Sequence, residues 1–245
     1  MNILLTNDDG IFSEGLLALA NVLISKNHKV FIYAPDGNRS GASRSASFYK
    51  EFTVNKVKTG EFEGFSLSGT PADCVRFGLR FSSEPIDLVC AGINLGANLG
   101  TDCFYSGTVN ACLEGVTANI PSIAFSNTSF SNYKFNETTK IISKYFDSLI
   151  KISSPNYTLN VNIPNINCGD EAGVVFTGLG VNRYAATYEK TGENTYKLVG
   201  DMLEPTDDDM YTDVYYSIRN YVTVSPVVHI STTTELVNMF KDYKF

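Results

Sequence analysis

Histidine is almost absent from this 245-residue chain, which has only His28 and His229. That argues against a histidine-held zinc site and against a Ser-His-Asp triad. The five cysteines, Cys74, Cys90, Cys103, Cys112 and Cys168, are odd in number, scattered, and form no CxxC pair. They read as small buried apolar residues in a reducing compartment. Basic residues are outnumbered, 19 Lys and Arg against 26 Asp and Glu, for a net charge of −7. A nucleic-acid polymer, gripped through its phosphates by Lys and Arg, is therefore not an expected partner, and any phosphate handled here belongs in a local pocket. Long hydrophobic runs are missing too. The stretch around Leu88 to Ala91 falls far short of the roughly 20 residues of a membrane span, so no membrane partner is expected. The opening MNILLTNDDG has no basic region, long apolar segment or small-residue cleavage site, and the expected location is the cytoplasm.

What is present, 43% hydrophobic and 18% charged residues, is the balance of an ordinary globular chain. It excludes disorder and collagen-like structure, and the length suits one large α/β domain or two small ones. The first half alternates as a parallel sheet requires. Ile3 to Leu5 reads as a short buried strand, Leu16, Leu17, Ala20, Leu23 and Ile24 share one helical face, and Val30 to Ala34 reads as a second strand. Phe52 to Val57 and Phe65 to Leu67 are strand candidates between turn glycines. Thr70, Pro71 and Asp73 spell a helix start, with the helix running to about Phe81. Ile86 to Ile93 reads as a central strand, Ser106 to Ala118 as a helix, Pro121 to Ser126 as a strand and Thr138 to Ile152 as a helix. The predicted fold is α/β, a Rossmann-like, doubly wound, mainly parallel core over residues 1–155. After Ser153 the pattern changes to short β-like segments near 157–163, 172–177, 184–190 and 195–200. Residues 156–245 are expected to form a hairpin and extended arm completing the same domain, with a strand at Tyr221 to Ser225 and a last helix at Thr234 to Tyr243. Asp207, Asp208 and Asp209 read as a solvated acidic turn, and His229 and the later aromatics as packing or interface groups.

Ligands of open parallel sheets bind beyond the carboxyl ends of the strands, so the polar residues that follow each apolar run are the candidates. These are Asn7, Asp8, Asp9 and Gly10, then Asp36 to Gly41, then Asn94, Gly96, Asn98, Gly100 and Asp102, then Tyr105, Ser106, Gly107 and Thr108. Asp8 and Asp9 reach one point only if the chain leaves its strand there, which Gly10 permits. Two readings stand for the pair: a site for a hard divalent ion such as Mg2+ or Mn2+, or acids capping the next helix. The stretch YSGTVNACLEG reads as a helix N-terminus with Ser106 as cap, where unpaired N–H groups and the helix dipole suit an anion. Asn94 offers a neutral amide oxygen, or simply a turn. Arg39 and Arg44 carry either phosphate-compensating charge or nothing beyond a solvated loop, and Asp73 reads as a helix cap. A metal beside an anion cradle is what phosphoryl transfer requires.

The segments ILLTNDDGI, YAPDGNRSGAS, SGTPADCV, DLVCAGINLGANLG and YSGTVNACLEG, in this order over most of residues 1–126, resemble the SurE family of survival proteins, metal-dependent nucleoside monophosphate phosphatases. The resemblance implies one divalent metal ion (Mg2+ or Mn2+) per subunit and hydrolysis of nucleoside 5′- and 3′-monophosphates. Some members also cleave terminal phosphate from polyphosphate. It puts the metal on Asp8, Asp9, Ser40 and Asn94, and phosphate contacts on Ser106, Gly107 and Thr108; Asn94 and Asn98 join the substrate-binding set. Asp8 and Asp9 are the expected catalytic residues, assisting a metal-activated water while the Ser106 turn stabilises phosphate charge. Covalent attack by Asp8 is open as well. The family's arm exchange implies a homodimer or homotetramer through the C-terminal arm. The chain departs from the family pattern at Phe12, Ser13 and Glu14, at Asn110 and Cys112, and at Asn220, which precedes Tyr221 where a Gly-Tyr pair is usual.

Two other classes compete. A receiver-like signalling module also pairs acids after its first strand, but it needs an aspartate where Asn94 stands and a lysine after a later strand, and none closely follows Ser122 to Phe125. A non-catalytic nucleotide-binding protein would hold the same ligand without turnover. A dinucleotide enzyme is disfavoured, since the first loop is NDDG and not GxGxxG.

Overall fold

Ile3, Leu4 and Leu5 are all fully buried, as consecutive strand residues must be when helices cover both faces of their sheet. In the computed structural model, which describes residues 1–228 apart from Met202, Asp207 and Asp208, they belong to β1 (Asn2–Thr6). There follow α1 (Glu14–Ser25), β2 (Lys29–Pro35), β3 (Val54–Thr59), β4 (Phe62–Leu67), α2 (Pro71–Phe81), β5 (Leu88–Leu95), a 3-10 turn (Gly100–Phe104), α3 (Gly107–Thr117), β6 (Ser122–Asn127), α4 (Phe135–Ile152) and β7 (Thr158–Ile163). β8 (Gly173–Phe176), β9 (Thr187–Lys190), β10 (Tyr196–Val199), α5 (Asp213–Ser217) and β11 (Tyr221–Val227) complete the described chain. The helix expected at Thr234 to Tyr243 and His229 lie outside the described residues.

The main sheet has the order β3-β4-β2-β1-β5-β6-β7-β11-β8. From β4 to β7 every neighbouring pair is parallel, which is the order of the Rossmann-like doubly wound fold. Ile3 and Leu5 point to the face covered by α1 and α4, and Leu4 to the face covered by α2 and α3. The strand order reverses between β1 and β5, so the crevice that binds ligands in such sheets opens where the chain leaves β1 and β5. Beyond residue 155 the chain adds β7 in parallel to β6, then β11 antiparallel to β7 and β8 parallel to β11. β9 and β10 pair only with each other, as a hairpin whose residues are nearly all exposed.

The helix start read at Thr70 is a complete capping box: the Thr70 hydroxyl accepts from the Asp73 N–H and the Asp73 carboxylate accepts from the Thr70 N–H. Asn220, standing where the family pattern has glycine, has φ of 59°, a left-handed conformation that Asn tolerates better than most residues. Pro226 sits inside β11, yet β8 has already stopped at the pair Val224–Phe176, so no partner on that side needs the missing N–H. The acidic-turn expectation is corrected for Asp209. It is buried, takes both bonds from Arg183 Nη1 at 2.9 Å and accepts from the Thr206 N–H. Asp207 and Asp208 lie outside the described residues.

Candidate active site

The turn after β1 is shaped by Asn7, which is fully buried. Its Nδ2 donates to Gly10 O at 3.0 Å and Ser13 Oγ at 2.6 Å, and its Oδ1 accepts from the Gly10 N–H at 3.2 Å. This closes an Asx-type turn that takes Asp8 and Asp9 out of the strand. Gly10 completes it with φ of 106°, its Cα against the backbone of Gly37. Sequence reasoning included Asn7 only as a member of the loop; the Asn-x-x-Gly spacing was the signal for its role.

Asp8 is 4% exposed and is aimed at the N-terminus of α3. The Thr108 hydroxyl donates to Asp8 Oδ1. A Cβ on Gly107 would lie only 2.7 Å from Asp8 Cβ and 2.8 Å from its Oδ2, so glycine is what lets the carboxylate approach the helix end. Burial pushes the Asp8 carboxyl above its ordinary pKa, opposed by the Thr108 hydroxyl and the N–H groups of Thr108 and Gly107. The positive end of α3 thus faces a carboxylate of the protein itself. Ser106 caps this helix, as its hydroxyl accepts from the Val109 N–H at 3.1 Å. Asn110, one of the departures from the family pattern, ties the helix back to the preceding loop by donating to Cys103 O and Ser106 O.

Asp9 is pushed up to about 6, first by burial and then by the neighbouring Asp8 carboxylate, with the Leu95 N–H opposing. Its Oδ2 is buried without any hydrogen-bond partner. That Leu95 interaction brings Asp9 to the end of β5, beside Asn94, whose Nδ2 donates to Gly96 O at 2.9 Å. The pairing of β5 with β6 shifts register between Ala91 and Asn94, and Gly92 passes so close to β6 that a Cβ there would lie 2.2 Å from Phe125 O. On the other side of the acid pair the Arg39 N–H donates to Asp8 O at 2.6 Å, bringing the Ser40 loop to the same rim. Ser40 is exposed, and its N–H donates to Asn38 Oδ1.

The turn bearing Asp8 and Asp9, the loop bearing Ser40 and the end of β5 bearing Asn94 therefore come together beside the switch point of the sheet. Among the described residues no cluster of three or more His, Cys, Asp or Glu side chains able to hold a metal occurs; the candidate cation site is this pair of carboxylates with neutral oxygens beside it. The orphaned Asp9 Oδ2 and the all-oxygen donor set fit a hard divalent ion. Asn98 is drawn into a buried network instead of the open rim. Its N–H donates to Asn162 Oδ1, its Nδ2 to Ser126 Oγ, and its O accepts from Asn160 and Asn162.

The residues around Ser40 have no regular structure and are held by side chains. Arg44 Nε and Arg76 Nε each lie 2.6 Å from an oxygen of Glu114, which is 4% exposed. Ser43 Oγ donates to Phe104 O, and Ser47 donates through N–H and Oγ to Asp73. Arg39 pairs with Asp36 at 2.7 Å. Both arginines considered for phosphate are thus engaged within the protein. Glu114 went unnoticed in the sequence, where its only signal was a charge on the otherwise apolar run of α3.

The chain is similar to known proteins along most of its length. A family model described as survival protein SurE matches residues 3–186. A 5′-nucleotidase SurE of Petrotoga mobilis is 39% identical, with 99% of each chain covered. One of Trichodesmium erythraeum is 40% identical over 93% of this chain and 91% of its own. The crystal structure of the SurE protein from Aquifex aeolicus superposes with a TM-score of 0.84 at 33% identity, covering 98% of both chains. With the acid-pair turn, the doubly wound sheet and these matches running along most of its length, the chain belongs to the SurE family.

Proposed function

We propose that this protein is a metal-dependent phosphomonoesterase that hydrolyses nucleoside 5′-monophosphates to nucleoside and phosphate, with 3′-monophosphates and polyphosphate ends as further substrates. The observation that carries the reading is the buried, unpartnered Asp9 Oδ2 beside Asp8, a pair of acids that burial and mutual repulsion hold poorly without a cation. The names of the relatives, 5′-nucleotidase SurE, support the substrate class.

Asp8, Asp9, Ser40 and Asn94 would hold the divalent ion, Mg2+ or Mn2+. Once bound, such an ion polarises phosphoryl oxygens and makes an attacking water more acidic. The chain's own groups do the rest. Thr108 and Gly107 hold Asp8 in place, and Asp8 or Asp9 assists transfer of the proton from the attacking water. The Ser106–Thr108 turn and Asn94 are assigned to the phosphate, where the N-terminal dipole of α3 favours negative charge, whereas Asn98, expected in the same set, has its amide engaged in the buried network with Ser126. The five cysteines are free thiols, which suits a reducing compartment such as the cytoplasm. The extension beyond residue 155 carries the C-terminal arm through which a homodimer or homotetramer forms, which sedimentation measures directly.

The test is phosphate release from nucleoside 5′- and 3′-monophosphates with Mg2+, with Mn2+ and with EDTA, on the wild type and on Asp9→Asn. Release that needs the ion and is lost in the variant is the expected result. The variant should keep a wild-type melting profile, since a loop carboxylate in a repulsive pair is exchanged for a neutral isostere. Release of phosphate in EDTA, or full activity in Asp9→Asn, overturns the reading.

A further inference from the structure

A cleft of about 650 Å³ opens between the loop that follows β5, the loop that follows β6 and the segment carrying Asn182 and Tyr184. It lies within the usual size range for small-molecule sites, and nothing in the acid-pair chemistry uses it. One wall is Phe130, whose side chain is large, apolar and 76% exposed. The ring rests on the backbone of Gly96: a Cβ there would lie 2.3 Å from Phe130 Cε1. Gly96 O accepts from the Nδ2 of Asn94, a residue of the candidate cation site. The loop bearing the ring is also pinned, since the Ser129 N–H donates to Asn127 Oδ1 at 2.9 Å and Tyr133 Oη donates to Phe130 O at 2.6 Å. An exposed aromatic ring is thus fixed at the mouth of a cleft, one short hydrogen-bonded step from where the phosphate reaction is read.

The polar part of the cleft sets two carboxylates among neutral side chains such as Thr128, Asn165, Ser217 and Asn220. Asp102, which accepts from the Tyr184 hydroxyl, and Asp201 line it, and so does Asn182, whose Oδ1 is buried without a partner. No Lys, Arg or His is among the described residues that line it. Such a surface repels a second phosphate and suits a flat, neutral group bearing N–H donors. We propose that this cleft receives the nucleoside part of the substrate, with Phe130 as the platform on which the base stacks. The inference rests on the nucleotidase reading and deepens it by naming the residue that makes the enzyme prefer nucleotides to other phosphate monoesters. Every base offers a π-face, so the platform accepts purines and pyrimidines alike, while the carboxylates of Asp102 and Asp201 favour bases with exocyclic amino groups.

The test compares Phe130→Ala and Phe130→Trp with the wild type, on adenosine 5′-monophosphate and on ribose 5-phosphate, which lacks a base. Loss of stacking should raise KM for the nucleotide about 10-fold to 100-fold with kcat nearly unchanged. It should leave kcat/KM for ribose 5-phosphate as it was, and Phe130→Trp should restore the nucleotide KM. An unchanged nucleotide KM in Phe130→Ala, or an equal loss on ribose 5-phosphate, overturns the inference. Equilibrium dialysis with adenosine in EDTA separates this from failure of the hydrolase reading. If the wild type releases no phosphate from either ester, adenosine binding that weakens in Phe130→Ala still upholds the cleft, whereas binding indifferent to Phe130, or absent, overturns it.

Discussion

Replacing Gly107 by alanine tests whether the end of α3 exists to hold Asp8. By helix propensity alone the change is favourable, by up to about 1 kcal/mol in a helix interior. In the structure the new methyl would lie 2.7 Å from Asp8 Cβ and 2.8 Å from Oδ2, where ordinary contact begins at 3.4 Å. Either Asp8 or the first turn of α3 must therefore retreat by about 0.7 Å, and a displacement near 1 Å at a reacting centre is worth roughly 100-fold in rate. Overpacking of this kind destabilises by about 1–3 kcal/mol, partly offset by propensity. The expected result is a loss of about two orders of magnitude in kcat/KM for nucleotide hydrolysis with a modest fall in melting temperature. Gly178→Ala is the control: nothing lies within 4 Å of a Cβ at that position, so activity should be unchanged and stability equal or slightly higher. Phosphate release and thermal unfolding on the three proteins decide the matter. Gly107→Ala with wild-type kcat/KM would refute the reasoning, because Asp8 would then tolerate a displacement that the geometry makes unavoidable.

Glu114→Ala leaves Arg44 and Arg76 without their shared acceptor; both arginines are partly exposed, so water softens the loss to about 1–3 kcal/mol. Urea unfolding measures it, and amide exchange should quicken around Ser40 to Ser47 while the β1 amides stay protected. The Asp73 carboxyl is held below its usual value: burial works against its charge, but the hydrogen bonds from Ser47 and Thr70 outweigh it. A pKa lower in the folded than in the unfolded state contributes stability above the unfolded value, near 4, which is lost as pH falls through the folded value. The stability gap between wild type and Asp73→Asn should therefore be full at pH 6 and shrink below pH 4, and a gap that stays constant down to pH 3 contradicts the assignment.

Most of the core was legible because its signals are local. Burial on both faces writes continuous apolar runs at β1, β5 and β6, and Thr70-Pro71-x-Asp73 carries its own capping chemistry. α5 and the 3-10 turn at Gly100–Phe104 escaped notice for the converse reason. Each spans five residues, too few for a helical period to register, and both depend on Asp213, whose carboxylate accepts from the N–H groups of Gly100, Gly180 and Val214. Asp209 was misread because its charge is matched by Arg183, 26 residues earlier, and a run of acids in sequence looks solvated until such a partner is known.

The same division runs through the active site. The amino-acid sequence by itself determined which residues would stand on the rim, since loop residues after buried strands of a parallel sheet must gather at its carboxyl edge. It also allowed two acids to leave the strand together, through Gly10, while the part played by Asn7 became visible in its hydrogen bonds. Only the tertiary structure decided what each of them meets. Asp8 finds Thr108 and Gly107 about a hundred residues away, Asp9 finds the Leu95 N–H and leaves one oxygen unmatched, and the Ser40 loop is anchored by Glu114. Such contacts arise where helices and loops from distant parts of the chain close over one crevice, and no local pattern encodes a partner that packing alone brings near.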